Sequence, residues 1–418
     1  MTLHPIFASL RKHKSGVVLI ALQIAFTLAI VCNAIFIISQ RIQKIGRETG
    51  MVENNLFLVS QQWVGAPSAD DEKGVEVLDS MQREDLAALR NMPDVASVTP
   101  TNSLPLFTSS WTGSVGLQPG KGNYDTSGNG TARVSYYFVD DQALGVLGVK
   151  MVAGHFFRSG DVINISSRDE RRPNVMVITK MLAEKMFPGE NAVGKTLYLD
   201  GGAAPVRVIG IIDTLQAPEW VKSFQWNSVL IPARLDSGFS RYAIRAKPGR
   251  EAAAMKAVAG VLYGVNPMRV LDENSVKSFS DIRNNAYQSD LGMAIVMGVV
   301  CIILLGVTTA GIVGLTSFWV GQRRKQIGVR RALGARKIDI LFYFQLENLA
   351  ISCGGVIIGI VLAIGLNFLL MSHFEMDRLP VSWVLLGVVV VLLLGQAAVF
   401  VPARRASNVS PVMATRMA

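Results

Sequence analysis

The sequence predicts a membrane α-helical protein with four transmembrane helices and a large α/β extracytoplasmic domain, a β-α-β layer carrying a β-rich insertion. Three observations predict it. Four apolar runs reach the roughly 20 residues needed to cross a bilayer. A polar stretch, residues 41–288, separates the first run from the second, and a strongly basic segment, residues 321–339, separates the second from the third. Half of the 418 residues are hydrophobic and the mean hydropathy is +0.35. The formal net charge of +10, 41 basic minus 31 acidic residues, could point to nucleic acid. However, Arg11, Lys12, Lys14, Arg404, Arg405 and the basic segment all lie beside apolar runs. That distribution suits membrane flanks, and no nucleic-acid partner is expected.

Residues 1–15 place Ile6, Phe7 and Leu10 on one face, followed by Arg11, Lys12 and Lys14. This suits a short cytoplasmic interfacial helix lying on membrane lipid. Residues 16–40 form the first span. They exceed the roughly 7–15 residues of a signal-peptide core, and no small-x-small cleavage site follows. Val31 before Cys32 also makes a poor lipoprotein acceptor. The segment is therefore expected to stay as a helix.

Residues 41–288 form the outer domain. Residues 55–63 read as a strand, 83–91 as an amphipathic helix and 95–99 as a second strand. Much later, 242–246, 250–263 and 268–271 repeat the strand, helix, strand order. Two such units suggest one α/β layer, residues 41–105 and 236–288, that the chain leaves and re-enters. The insertion, residues 106–235, shows strands at 133–139, 174–178, 196–199 and 206–212 and a helix at 181–187. Gly120, Gly122, Asn123, Gly128, Asn129 and Gly130 make 119–130 a loop. Residues 272–288 read as a helix-compatible stalk.

The second span is 289–320, with Gly306, Gly311 and Gly314 permitting close helix approach. The third is 340–371 and contains the GxxxG pair Gly355 and Gly359. Glu347 is the one acid near a span interior. It either pairs with a cytoplasmic arginine or acts as a hinge latch. Residues 372–380 are an outer turn, 381–401 the fourth span and 402–418 a cytoplasmic tail. Short basic loops stay in the cytoplasm, so the basic segment places both termini inside and the large domain outside. Polar side chains that could line a route near the midplane are few: Gln23, Asn33, Asn367 and Gln396.

Catalytic and metal-binding patterns are sparse. His4, His13, His155 and His373 have no ligand spacing, and no metal or cofactor is expected on this chain. Cys32, Cys301 and Cys353 all fall in apolar runs and read as small buried hydrophobes. Gly189-Glu-Asn-Ala-Val-Gly-Lys-Thr196 matches the P-loop letters G-x-x-x-x-G-K-[ST]. A P-loop needs a strand before it and a helix after, whereas a helix and Pro188 precede and an alternating strand follows. It therefore reads as a turn with Lys195 toward water.

The basic segment carries more than charge. Ile327, Ala332 or Leu333, and Ile338 or Ile340 recur at helical intervals, and Gly334-Ala335 offers a C-terminal stop. On charge alone it could be a loop held at anionic headgroups. The run Gln326-Ile-Gly-Val-Arg-Arg-Ala-Leu-Gly-Ala335, however, resembles the coupling helix of MacB and FtsX-type ABC permeases, with Gln326 where an acid is usual. Similar to that family, in the same order, are 138–148, 153–157, 177–196 and the closing Pro402-Ala-Arg-Arg-Ala406, with Ser410 in place of Asp.

The resemblance implies a MacB/FtsX-type permease in a bacterial inner membrane, with a porter-like layer in a periplasmic domain. It implies that Arg323, Arg324, Gln326, Ile327, Gly328, Val329, Arg330, Arg331, Ala332, Leu333, Gly334, Ala335 and Glu347 serve ATPase coupling. The chain itself would then be no enzyme, with ATP and Mg held by partner ABC ATPase subunits. A second permease, identical or paralogous, is implied, as are an adaptor and outer-membrane channel in diderm bacteria. The expected function is efflux or export of a periplasmic or membrane-derived substrate. The alternative is an FtsX-like regulator of an outside partner such as a cell-wall hydrolase.

Overall fold

The computed structural model describes residues 14–69, 72–120, 130–166, 172–218, 223–374 and 377–408. The expected interfacial helix, most of the 119–130 loop and the end of the tail lie outside them. The chain divides into two compact units, residues 47–288 and residues 1–46 with 289–418.

The chain enters with helix α1, Lys14–Ile45. The outer unit then runs β1 (Leu56–Trp63), α2 (Glu72–Arg90), β2 (Val95–Pro100), β3 (Trp111–Gly116), β4 (Thr131–Val139), α3 (Ala143–Leu147), β5 (Met151–Gly154) and β6 (Ile163–Ile165). It continues through β7 (Val175–Thr179), α4 (Lys180–Met186), β8 (Thr196–Leu199), β9 (Pro205–Ile212), β10 (Ser228–Leu235), β11 (Phe239–Ala246), α5 (Glu251–Val265), β12 (Arg269–Val270) and β13 (Val276–Ser278). Four helices follow: α6 (Phe279–Gln322), α7 (Arg324–Ala332), α8 (Lys337–Phe374) and α9 (Val381–Ser407).

One sheet of the outer unit has the order β12-β1-β11-β2, with β13 also on β1. β1 and β2 are both antiparallel to β11, so they run parallel with β11 between them. β11 and β12 likewise flank β1. These are two interlocked split β-α-β units, the ferredoxin-like arrangement. The crossover helices bury their apolar stripes on this sheet: Leu86 and Leu89 of α2 and Ala254, Val258 and Leu262 of α5 share a core with Phe57, Val59, Tyr242 and Ile244.

The inserted residues form the second sheet, β4-β3-β8-β9-β7-β10-β6 with β5 on β9. A further parallel pairing of β10 with β4, Ser228 to Pro232 against Ser135 to Val139, closes six strands into a ring. Closure leaves no free edge among those six. Val134, Met176, Ile178, Val208 and Ile231 fill its core.

In the other unit α1, α6, α8 and α9 are each long and apolar enough to cross a membrane. α1, α8 and α9 pack together around Ile24, Leu28, Ile351, Val391 and Val399. Gly355 and Gly359 of α8 face α1: a Cβ on Gly355 would lie 2.7 Å from the Ala21 carbonyl oxygen, and one on Gly359 3.0 Å from that of Ala25. Their bare backbone is what allows the two helices to meet. The span polar groups tie helices together. Gln23 Nε2 donates to the Val307 carbonyl (3.1 Å), Asn33 Nδ2 to that of Ala363 (3.1 Å), and the Thr27 and Thr308 hydroxyls bond at 2.7 Å. At the end away from α7, Asp290 accepts from Arg41 and Lys44, both at 2.6 Å.

Several boundaries differ from the sequence reading. α6 begins at Phe279, ten residues before the expected span, because the stalk continues as helix; its 44 residues make a rod of about 66 Å, well over the roughly 30 Å hydrocarbon core. α9 runs to Ser407, carrying Pro402, Arg404 and Arg405 out of the expected tail. Cys353 is exposed, since it lies on the side of α8 turned away from α1 and α9.

Candidate functional site

The site is the basic segment between α6 and α8. A single residue, Arg323, separates the end of α6 from α7. The Arg323 amide still donates to the Trp319 carbonyl (3.1 Å), and its own carbonyl accepts from the Ile327 amide (2.9 Å). The turn between the helices is therefore tight, with Arg323 hydrogen-bonded to both of them.

The far end of α7 closes on Gly334. Its φ of +97° is a conformation that side chains with a Cβ avoid. The Ala335 amide donates to the Arg330 carbonyl (3.0 Å) and the Gly334 amide to that of Arg331 (3.2 Å). This pair of bonds is a Schellman stop. Asp339 then accepts from the Arg336 amide (2.9 Å) and starts α8.

α7 has an inner and an outer side. Ile327, 5% exposed, joins a core with Val320, Ile340, Phe344, Ala403 and Ala406, and Gly328 is buried beside it. Arg324, Lys325, Gln326, Val329, Arg330, Ala332 and Leu333 are exposed. Leu333 is 82% and Val329 49% exposed, a large apolar pair one turn apart among arginines. Arg331 and Ala335 are half-buried. The Arg330 guanidinium stacks over the Tyr343 ring at 5.2 Å.

Two expectations are corrected here. Ala332 and Leu333 do not share the inner face with Ile327, and Ile338 and Ile340 belong to α8, because the Gly334 break ends the short helix first. Gly328, which the resemblance assigns to ATPase coupling, is buried beside Ile327 within its own unit. The apolar neighbour Ile327 is the sequence signal for that inward face.

Glu347 of α8 is 2% exposed and accepts from Arg323 Nη1 at 2.8 and 3.1 Å. The acid thus pairs with the residue at the α6–α7 turn, as one of the two sequence readings has it. Which arginine it meets is not legible in the sequence, because a gap of 24 residues is bridged only by the helix hairpin.

The P-loop look-alike has the wrong surroundings. α4 precedes it and β8 follows. Its amides are already used: Gly194 donates to the Val208 carbonyl (2.8 Å), Lys195 to Ala192 (3.1 Å) and Glu190 to Phe187 (3.1 Å). Lys195 is not simply turned to water, for its ammonium pairs with Glu190 and lies 4.9 Å from the Phe187 ring. Among the described residues no three His, Cys, Asp or Glu gather as metal ligands.

Residues 18–260 match the MacB-like periplasmic core domain, and residues 286–411 the FtsX-like permease C-terminal domain. The macrolide export ATP-binding/permease protein MacB of Pasteurella multocida is 24% identical over 423 residues, covering 99% of this chain and 59% of that protein. MacB 2 of Aeromonas hydrophila is 26% identical over 357 residues, covering 82% and 50%. This chain thus spans between half and three-fifths of the length of these two relatives. The crystal structure of the periplasmic region of MacB from Actinobacillus actinomycetemcomitans aligns with a TM-score of 0.34 at 17% identity, covering 58% of this chain and 97% of that one. With one family model covering most of the first span and of the outer unit, and a second covering the remaining spans and the basic turn, the chain belongs to the MacB/FtsX-type family of ABC transporter permeases.

Proposed function

We propose that this chain couples ATP hydrolysis on a partner ATPase to motion of its outer domain, and that this motion drives efflux or export of a periplasmic or membrane-derived substrate. The observation that carries the reading is the joint at Arg323. A helix far longer than the membrane ends one residue before a short helix that presents Val329, Leu333 and a set of arginines outward. A push on α7 reaches α6 with no flexible loop between them. Basic residues around α7 support a cytoplasmic side for that helix, the side that both termini would then share.

A hydrophilic route through the membrane is not needed for this. Gln23, Asn33 and Asn367 spend hydrogen bonds on neighbouring helices or the adjoining turn. Less of the apolar stretch of α6 is buried than of the other three spans, so its remaining surface is left to lipid or a second permease.

Leu333→Asp combined with Val329→Asp tests the contact. Both positions are exposed, so insertion and folding should be unchanged. Co-purification of the ATPase should fall about tenfold or more, since burying one such apolar side chain contributes roughly 1.5–3 kcal/mol and a carboxylate in its place forfeits it. Undiminished capture would refute the coupling assignment. Given capture, susceptibility and efflux assays in a deletion strain separate an exporter from an FtsX-like regulator of an outside hydrolase.

A further inference from the structure

A cleft of about 190 Å³ lies within the outer unit, between the ferredoxin-like layer and the ring. Its walls come from α2, β2, β3, β4, β10 and β11 and from the link between β2 and β3. The coupling reading makes no use of it.

Its chemistry is one-sided. Arg241 lies between the rings of Phe239 (4.5 Å) and Phe107 (5.1 Å). Its Nη1 donates to the Asn102 carbonyl (2.7 Å) and, at the 3.5 Å limit, to Ser109 Oγ. Among the described residues no carboxylate pairs with it, and its buried Nε has no partner. Burial lowers its pKa, so the site as it stands disfavours a charge that an anion would compensate. Gln82, 4% exposed, also lines the cleft. Its Nε2 donates to Ser240 Oγ (3.2 Å) and, at 3.4 Å, to the Leu235 carbonyl, while its Oε1 is buried without a partner. The buried Ser110 hydroxyl is unpartnered too. Trp111 and Phe138, edge to face at 5.2 Å, form an aromatic wall. None of the lining residues is Asp or Glu.

We infer that this cleft binds a small monocarboxylate that carries an aromatic or short apolar group and one N–H or O–H donor. The carboxylate meets Arg241, the donor meets Gln82 Oε1, and the apolar group lies on Trp111 and Phe138. One cation balances one negative charge; a phosphate dianion would enter with a charge uncompensated, which burial penalises. The size agrees, since an apolar cavity of about 150 Å³ holds benzene and this one adds room for a few polar atoms.

The test is titration calorimetry on the full chain in detergent with no ATPase present, so a failure here leaves the coupling reading untouched. The probes are mandelate and its neutral analogue mandelamide. Mandelate should bind about tenfold more tightly or better, as a charge-assisted hydrogen bond in a buried site requires. Arg241→Gln should abolish the preference for the acid. Trp111→Ala, at a position 38% exposed and so outside the core, should weaken both probes. Equal affinity for acid and amide on the wild-type chain would overturn the proposal without reference to any variant. So would the absence of mandelate binding up to its solubility, or an acid preference that survives in a folded Arg241→Gln chain.

Discussion

Asp85→Ala should lower the unfolding temperature of the outer unit by on the order of 10 °C. Asp85 on α2 and Arg269 on β12 are both fully buried and meet through two parallel bonds, Nη1 to Oδ2 at 2.9 Å and Nη2 to Oδ1 at 2.8 Å. The Tyr242 hydroxyl on β11 donates to the same carboxylate (2.9 Å), and Gln61 on β1 reaches both partners at 3.3–3.4 Å. Burial first, and the Asp85 carboxylate second, push the Tyr242 phenol well above its ordinary pKa, so it stays a donor. The network joins three of the sheet's strands to a crossover helix. Removing one member of a buried pair leaves the other charge uncompensated at about 3–5 kcal/mol. A domain of this size loses about 2–4 °C per kcal/mol. Asp85→Leu with Arg269→Met should recover much of the loss, since removing both charges also removes their desolvation cost. Thermal unfolding followed by near-ultraviolet circular dichroism decides. A shift of about 1–2 °C for Asp85→Ala, within the range of ordinary surface changes, would mean that the pair does not hold the layer together.

Glu347→Ala should strongly reduce stimulation of the proposed partner ATPase while the chain still inserts. The Glu347 and Arg323 side chains are 3% and 13% exposed, so water screens their pairing little. Without the carboxylate, the guanidinium at the α6–α7 turn loses this pairing, and α7 loses its fixed angle to α6. The expected fall in stimulation is about tenfold or more, from a local cost of about 3–5 kcal/mol. Exchanging the two residues, Arg323→Glu with Glu347→Arg, should restore part of it, which a merely apolar packing role would not. Full stimulation by Glu347→Ala would show that α7 is positioned by the Ile327 core alone.

Features carried by local pattern are legible in the sequence itself. The apolar runs, the basic segment, the Gly334 stop and the two strand-helix-strand units each rest on periodicity or on a residue with one special conformation. What escapes depends on pairing across long gaps. β10 is hidden because Pro232 argues against a central strand, yet there it lies opposite Val139 in a parallel ladder and helps close the ring. β3, with glycines at 113 and 116, has little strand propensity of its own. The Asp85–Arg269 pair spans 184 residues and the cleft around Arg241 draws on six elements, so neither leaves a local trace. At the candidate site the residue types are legible, but which face each one occupies is not: Gly328 points inward, and Leu333 outward.

Interrupting α6 shows whether that helix carries motion from α7 to the outer domain. Three glycines inserted after Gln288 cost about 1 kcal/mol each in a helix and uncouple its two ends without touching α7. Spin labels on the outer domains of paired permeases, reconstituted with the ATPase, would be read by pulsed electron resonance with and without ATP. A nucleotide-dependent change in distance is expected for the uninterrupted chain, and none for the insertion variant although the ATPase is still captured. An equal change in both chains would contradict a role for α6 as the transmitting rod.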